Sequence, residues 1–220
     1  MIEYVDNKEI IARRIARFFE SGDVVNLGIG LPTMVGNFVP ADVTVILQSE
    51  NGMMGLGPVP EKGMEDKDLT NAGGMPVTVL PGGCFFDSAT SFGIIRGGHV
   101  DYTVLGVLEV DQEGNLANYK IPGKMVPGMG GAMDLVAGSR VVIAATTHLE
   151  KSGQSKLKKR CVLPLTAAHE VDIVITDVGY FVVKDGKFLL VEYFAPYTPE
   201  WIVEHTNAHV VVEKGCKEFN

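Results

Sequence analysis

The residues with the clearest chemical promise are Ser49-Glu50-Asn51-Gly52, followed at once by Met53-Met54-Gly55-Leu56-Gly57-Pro58. The apolar run Val43 to Leu47 reads as a buried strand, and it leads into a carboxylate and then into Asn-Gly, a strong turn signal. In an open α/β sheet, groups just past the carboxyl end of a strand face the crevice where ligands bind. Glu50 is therefore expected at a sheet rim, on a sharp turn, among glycines that leave room for a large ligand. The plainer reading, a capping or surface carboxylate, fits poorly with the buried approach strand and the glycine-rich sequel. A glutamate is ionised at neutral pH and needs no base to act as a nucleophile. It could attack an activated acyl carbon. The resulting oxyanion would need backbone N–H donors, which Gly128-Met129-Gly130-Gly131 supplies if that loop opens a helix. The plainer reading of that loop is a helix N-terminus with no chemical role.

A second pattern competes for the same residues. Gly28-Ile29-Gly30-Leu31-Pro32-Thr33 follows an apolar strand, and Glu50 lies where a ribose-binding acid of a nicotinamide-dinucleotide fold would sit. Thr33 replaces the third glycine of that fingerprint, and Pro32 removes an N–H that would hold the pyrophosphate. A tight strand-to-helix turn with no ligand explains the two glycines more simply. His205 and His209 are four apart beside Glu204, but not in the zincin order, so a structural role outweighs metal binding. His99, His148 and His169 stand alone, Cys84 between Gly83 and two phenylalanines reads as buried packing, and no Gly-x-Ser-x-Gly nucleophile is present.

These groups need a scaffold. A chain of 220 residues, 46% hydrophobic, is long enough to bury a core without disulfides or metal. One domain over residues 1–220 is expected. A net charge of −8 argues against nucleic acid, and the basic run Lys156 to Arg160 reads as a solvated face. Three scattered cysteines form no disulfide framework, and Met1 to Asp6 carries no basic region leading into an apolar core. No apolar run approaches the ~18 residues of a spanning helix, so a cytoplasmic location is expected.

Asp6 caps a helix with Glu9 positioned to complete a capping box, Ile10 to Phe19 recur at helical spacing, and Gly22 closes it. Strands are expected at Asp23–Leu27, Thr44–Leu47, Val77–Leu80, Tyr102–Val110, Val141–Thr146, Ile173–Thr176 and Val210–Val212. Helices are expected at Pro32–Val39, Asp87–Ile95, from about Ala132, and at Pro199–His205. Lys184-Asp185-Gly186-Lys187 between two apolar runs is a hairpin signal. The alternation of strands and helices predicts an open, mostly parallel α/β sheet flanked by helices, with a late antiparallel hairpin.

The chain resembles the B (beta) subunit of family I CoA-transferases of the 3-oxoacid, acetate and butyrate group. The matching pieces are Asn26 to Pro32, Ser49 to Gly52 with Gly55 to Pro58, Asn71-Ala72-Gly73, Phe85 to Ser88, Ser91 to Gly93, Ile95 to His99, Gly114 to Asn118, and Ile121 to Leu135. The resemblance implies that Glu50 attacks an acyl-CoA thioester and carries CoA as a glutamyl thioester. It places an oxyanion-stabilising N–H at Gly131, and cleft residues at Asn26, Gly28, Gly30, Asn51, Gly52, Asn118, Lys124 and Gly130. It implies no cofactor beyond coenzyme A thioesters as substrates, no metal, and a partner A (alpha) subunit in an α2β2 heterotetramer. The acyl pair stays open among acetate, butyrate, acetoacetate and succinate. The alternatives are a nicotinamide-dinucleotide-binding oxidoreductase subunit, a non-catalytic binding subunit on the same fold, and, on architecture alone, a sugar-phosphate isomerase.

Overall fold

Asp6 starts the first helix by accepting the Lys8 N–H on its carboxylate at 3.1 Å. The computed structural model describes residues 6–124, 126 and 128–219. Glu9 does not complete the capping box. Its carboxylate pairs one turn on with Arg13, at 2.6 Å. Helix α1 spans Asn7–Ala16, ending before Gly22, and buries Ile11, Ala12, Ile15 and Ala16. Its Arg14 reaches across the fold to pair with Glu192, with the guanidinium over the rings of Phe18 and Tyr180.

The chain then enters β1 (Val24–Leu27), a 3₁₀ helix (Pro32–Phe38), β2 (Ile46–Ser49), β3 (Met53–Leu56) and β4 (Val79–Phe85). Helix α2 (Ser88–Arg96) leads to β5 (Tyr102–Gly106), β6 (Glu109–Asp111), β7 (Leu116–Ala117), α3 (Ala132–Gly138), β8 (Val141–Ala145) and β9 (Leu157–Lys158). The last part holds β10 (Ile173–Ile175), β11 (Gly179–Lys184), β12 (Lys187–Tyr193), α4 (Pro199–Glu204) and β13 (Val210–Glu218). Ten of these strands form one sheet in the order β13-β12-β11-β10-β8-β5-β1-β2-β3-β4.

From β10 to β2 every pairing is parallel, as the strand–helix alternation requires. The expected late hairpin is β11–β12, turned by Asp185 at φ 51° and Gly186 at φ 69°. Two successive left-handed residues suit the twist of the flanking strands. A second antiparallel excursion, β3–β4, lies at the opposite edge. The stretch expected as one strand from Tyr102 to Val110 breaks after Gly106. Its continuation, β6, leaves for a small three-stranded sheet ordered β7-β6-β9.

Successive residues of a strand face opposite sides, so each central strand feeds two cores. Val104, Ile143 and Ile175 pack under α1, while Leu105, Ala144 and Val174 pack with residues of α2 and α3 on the other face. The carboxyl ends of β1, β2, β5 and β8 meet along one rim, where Gly28, Glu50, Val107 and Thr146 follow their strands. Cys84 departs from its expected burial. It sits on β4, an edge strand with one flank unpaired, and is exposed.

Candidate active site

Glu50 occupies the corner of the β2–β3 hairpin. Ser49 pairs with Met53, so Glu50, Asn51 and Gly52 form the connection. Gly52 takes φ +115°, and a β-carbon there would lie 2.1 Å from the carbonyl oxygen of Phe86. The Phe86 N–H donates to Gly52 O at 3.0 Å, so the corner is clamped main chain to main chain. Asn51 donates through Nδ2 to Thr70 O at 2.7 Å, and Ser49 Oγ accepts the Ala72 N–H at 2.9 Å. Both bonds tie the hairpin to the glycine-rich segment that follows.

Asn26 comes from the neighbouring strand β1 and stands in register with Gln48. Its Nδ2 donates to Gln48 Oε1 at 2.7 Å and to Glu50 Oε2 at 3.2 Å. Gln48 Nε2 donates in turn to Ser91 Oγ on α2 at 3.1 Å. Asn26, Gln48 and Ser91 are 1%, 3% and 0% exposed. The sequence assigned no site role to Gln48 or to Ser91, the latter noted only as part of the Ser91 to Gly93 piece. The available signal was a glutamine directly continuing an apolar strand.

Gly131 is the N-cap of α3 and is buried against the same carboxylate. A β-carbon there would lie 3.4 Å from Glu50 Cγ and from the ring of Phe92. Helix α3 is held in place by α2: Gly138 passes so close to Ile95 that a β-carbon would lie 2.3 Å from Ile95 O. An exposed Arg96–Asp134 pair at 2.7 Å adds little to that packing. The structure therefore brings Glu50, Asn26 and Gly131 together from β1, the β2–β3 corner and the start of α3.

The other expected residues divide. Gly28 donates its N–H to Val104 O at 2.9 Å, and a β-carbon would come within 2.9 Å of that oxygen, so β1 leaves the sheet pressed on β5. Gly30, at φ +88°, turns the chain into the 3₁₀ helix, and Thr33 Oγ1 donates back to Gly28 O at 3.0 Å. Asn118 sits on the same rim with its amide donating to Gly106 O and its Oδ1 accepting from Thr166 Oγ1. Lys124 is exposed on the turn after Ile121, and Gly130 takes φ +51° just before Gly131.

A cavity of about 450 Å³ opens beside Glu50, walled by Leu27, Gly28, Ile29, Leu47 and Val77. Of the expected cleft residues only Gly28 lines it; Asn26, Gly30, Asn51, Gly52, Asn118, Lys124 and Gly130 do not, nor does Gly131. Its walls are mainly apolar, with the carboxylate at one end. Among the described residues no group of three or more His, Cys, Asp or Glu is placed to hold a metal ion. His205 stacks on Trp201 with ring centroids 4.0 Å apart. His148 is fully buried, bonded to Thr206 Oγ1 at 3.1 Å, and burial lowers its pKa to about 4. No helix among the described residues is long and apolar enough to cross a membrane.

The family model for coenzyme A transferase matches residues 8–205. The chain belongs to the coenzyme A transferase family. The beta subunit of the acetate CoA-transferase of Escherichia coli K12 is 57% identical over 188 residues, covering 86% of each chain. The B subunit of the probable succinyl-CoA:3-ketoacid coenzyme A transferase of Bacillus subtilis 168 is 48% identical over 205 residues, covering 93% of this chain and 95% of that one. Among solved structures, an acyl-CoA transferase of Escherichia coli O157:H7 superposes with a TM-score of 0.79 at 22% identity. That match covers all of this chain and 44% of the other, so this chain spans under half the length of that protein. At such identity the match shows the fold alone. Membership of the coenzyme A transferase family makes the chain a CoA-transferase and sets aside the nicotinamide-dependent oxidoreductase. The Gly28–Thr33 segment of this coenzyme A transferase is a tight turn into a 3₁₀ helix.

Proposed function

We propose that this chain is the glutamate-bearing B subunit of a heteromeric short-chain acyl CoA-transferase. The observation that carries the reading is the convergence on Glu50 of the Asn26 amide, at 3.2 Å, and the start of α3 at Gly131. A carboxylate oxygen of Glu50 attacks the thioester carbon of an acyl-CoA. The C–S bond breaks, CoA leaves as thiolate, and an acyl–glutamyl anhydride remains. The thiolate attacks the glutamyl carbonyl and releases the first acid as its carboxylate, leaving a glutamyl–CoA thioester. The acceptor carboxylate runs the two steps in reverse. Both adducts stay activated, so the thioester's energy is retained as long as water is kept out. The Gly131 N–H at the helix start is the donor for the oxyanion formed at each attack.

Coenzyme A thioesters are substrates in this scheme, with no resident cofactor. Asn26, Gly28 and Gly30 shape the Glu50 side of the cleft, Asn118, Lys124 and Gly130 the loops opposite, and Asn51 and Gly52 hold the hairpin corner. The partner is an A (alpha) subunit, in an α2β2 assembly. The relatives are named as beta or B subunits. Large apolar residues stand in solvent: Ile29, just past β1, is 72% exposed, Val126 66% and Val162 81%. Acetate and 3-ketoacids such as acetoacetate are the first substrates to try. A cytoplasmic setting is in keeping with three free thiols.

The test is peptide-mapped mass spectrometry of the copurified complex after exposure to acetoacetyl-CoA or acetyl-CoA without acceptor acid. A CoA adduct on Glu50 is the expected result. Transfer activity in the same sample with no adduct on Glu50 would overturn the mechanism.

A further inference from the structure

Three polar side chains run inward from the nucleophile through the sheet to a helix, and the covalent chemistry makes no direct use of two of them. Glu50 Oε2 accepts from Asn26 Nδ2, Gln48 Oε1 accepts from the same nitrogen, and Ser91 Oγ accepts from Gln48 Nε2. We propose that Gln48 and Ser91 are positioning residues, which hold the Asn26 amide so that its N–H faces the Glu50 carboxylate. This inference rests on Glu50 being the nucleophile.

The direction of the relay follows from hydrogen-bonding chemistry. A carboxylate only accepts, so the group facing it must donate. A side-chain amide has two ends of nearly the same shape and opposite polarity. Turned over, Asn26 would set its Oδ1 against Glu50. Gln48 Oε1, 2.7 Å from Asn26 Nδ2, rewards the productive orientation on the side away from Glu50. The two amide hydrogens of Asn26 are then shared among Gln48 Oε1, Glu50 Oε2 and, at 3.3 Å, the Gln48 main-chain carbonyl. Asn26 Oδ1 is left buried without a hydrogen-bond partner among the described residues. Burying unsatisfied polar atoms is costly, so a strand position carrying glutamine in an otherwise apolar setting calls for a function. Ser91 closes the inner end, and the next residue of the same helix, Phe92, packs against Gly131. One helix thus supports the nucleophile through Ser91 and the oxyanion donor through Phe92.

The experiment compares wild type, Gln48→Met, Asn26→Ala and the double variant as copurified complexes. The readouts are kcat, KM and the rate at which the Glu50–CoA adduct forms. Gln48→Met keeps length, burial and the bond from Asn26 Nδ2 to the main-chain carbonyl of residue 48, while removing both side-chain amide bonds. A nucleophile released from its productive geometry loses on the order of 10²-fold in rate. The expected result is a loss of that order in kcat and adduct formation, KM within about twofold, and a double variant no worse than Asn26→Ala alone. Additive losses would show that Gln48 acts by another route and would overturn the proposal. Adduct formation at the wild-type rate in Gln48→Met would overturn it while leaving the nucleophile standing. Absence of the Glu50 adduct in wild type would bring down both together. Should Gln48→Met fail to assemble, Ser91→Ala removes only the inner hydroxyl. A smaller kcat loss at unchanged KM supports the proposal, and failure of Ser91→Ala to assemble as well would make the network purely structural.

Discussion

Gly131 and Glu50 face each other across the site: a β-carbon on the glycine would lie 3.4 Å from Cγ of the glutamate. The residues are 81 positions apart, one on a hairpin corner and the other opening a helix. That separation leaves just enough room for a methyl group and none for a longer side chain without displacing Glu50 or Phe92. Gly131 has φ −82°, which alanine adopts freely. Gly131→Ala is therefore expected to assemble with an unchanged unfolding midpoint while its kcat falls roughly 10-fold or more, because the methyl occupies space the glutamyl adducts need. Wild-type turnover would mean the adducts swing away from α3. Steady-state kinetics beside a thermal melt separates the two.

Substitution of Glu50, the proposed nucleophile, gives a graded series. Glu50→Ala removes the attacking atom and is expected to lower transfer by at least about 10³-fold with the complex intact. Glu50→Asp retains the carboxylate but withdraws it by one methylene from the Asn26 amide, for a loss on the order of 10²-fold. Normal transfer by Glu50→Ala would instead identify a binding subunit whose chemistry lies elsewhere.

Gly52 predicts the opposite pattern. Alanine at φ +115° is strained by about 1–3 kcal/mol before any clash, and its methyl would be driven into Phe86 O. Gly52→Ala is expected to lower the denaturant midpoint and the yield of complex. Whatever assembles should keep a KM close to wild type. A stable variant with a raised KM would move Gly52 from the scaffold to the binding surface.

The buried His148 sets a pH dependence of stability. Its folded pKa, lowered by burial to about 4, lies below the unfolded value of about 6.5. The unfolded chain therefore takes up a proton first as pH falls. The contribution is fully present above about pH 6.5, shrinks between 6.5 and 4, and is gone below that. The difference amounts to about 3 kcal/mol in full and about 2 kcal/mol between pH 7 and pH 5. Denaturant unfolding of wild type and His148→Gln at both pH values checks it, with the variant losing less stability on acidification. Equal losses would assign the acid sensitivity to other groups.

What could be read from the sequence was mostly local. The β11–β12 hairpin was legible because two left-handed residues in a row are a demand that Asp185-Gly186 meets without help from the rest of the chain. The Glu50 corner was legible because a buried strand ending in Glu-Asn-Gly leaves few places for the carboxylate. The β3–β4 edge was not, since residues 51–83 are dense in glycine and proline and their pairing joins Met53 to Phe85. Strand β5 ran on too far in the reading because Val107 and Leu108 continue the apolar pattern while the backbone changes sheets. Cys84 was misplaced because apolar neighbours suggest burial, whereas an edge strand leaves them in solvent. The link from Gln48 to Ser91 spans 43 residues and exists only once α2 lies on the sheet.

The clamp between Gly52 and Phe86 has a consequence for how such a protein changes over time. The place of Glu50 is set by backbone atoms: a carbonyl pressed onto a glycine and an amide returning the bond. Side chains lining the adjoining cavity, Leu47 and Val77 among them, take no part in that clamp. Substitutions there can resize the chamber while the Glu50 carboxylate keeps its place. The shape of the chamber and the position of the carboxylate are, in this architecture, carried by different atoms.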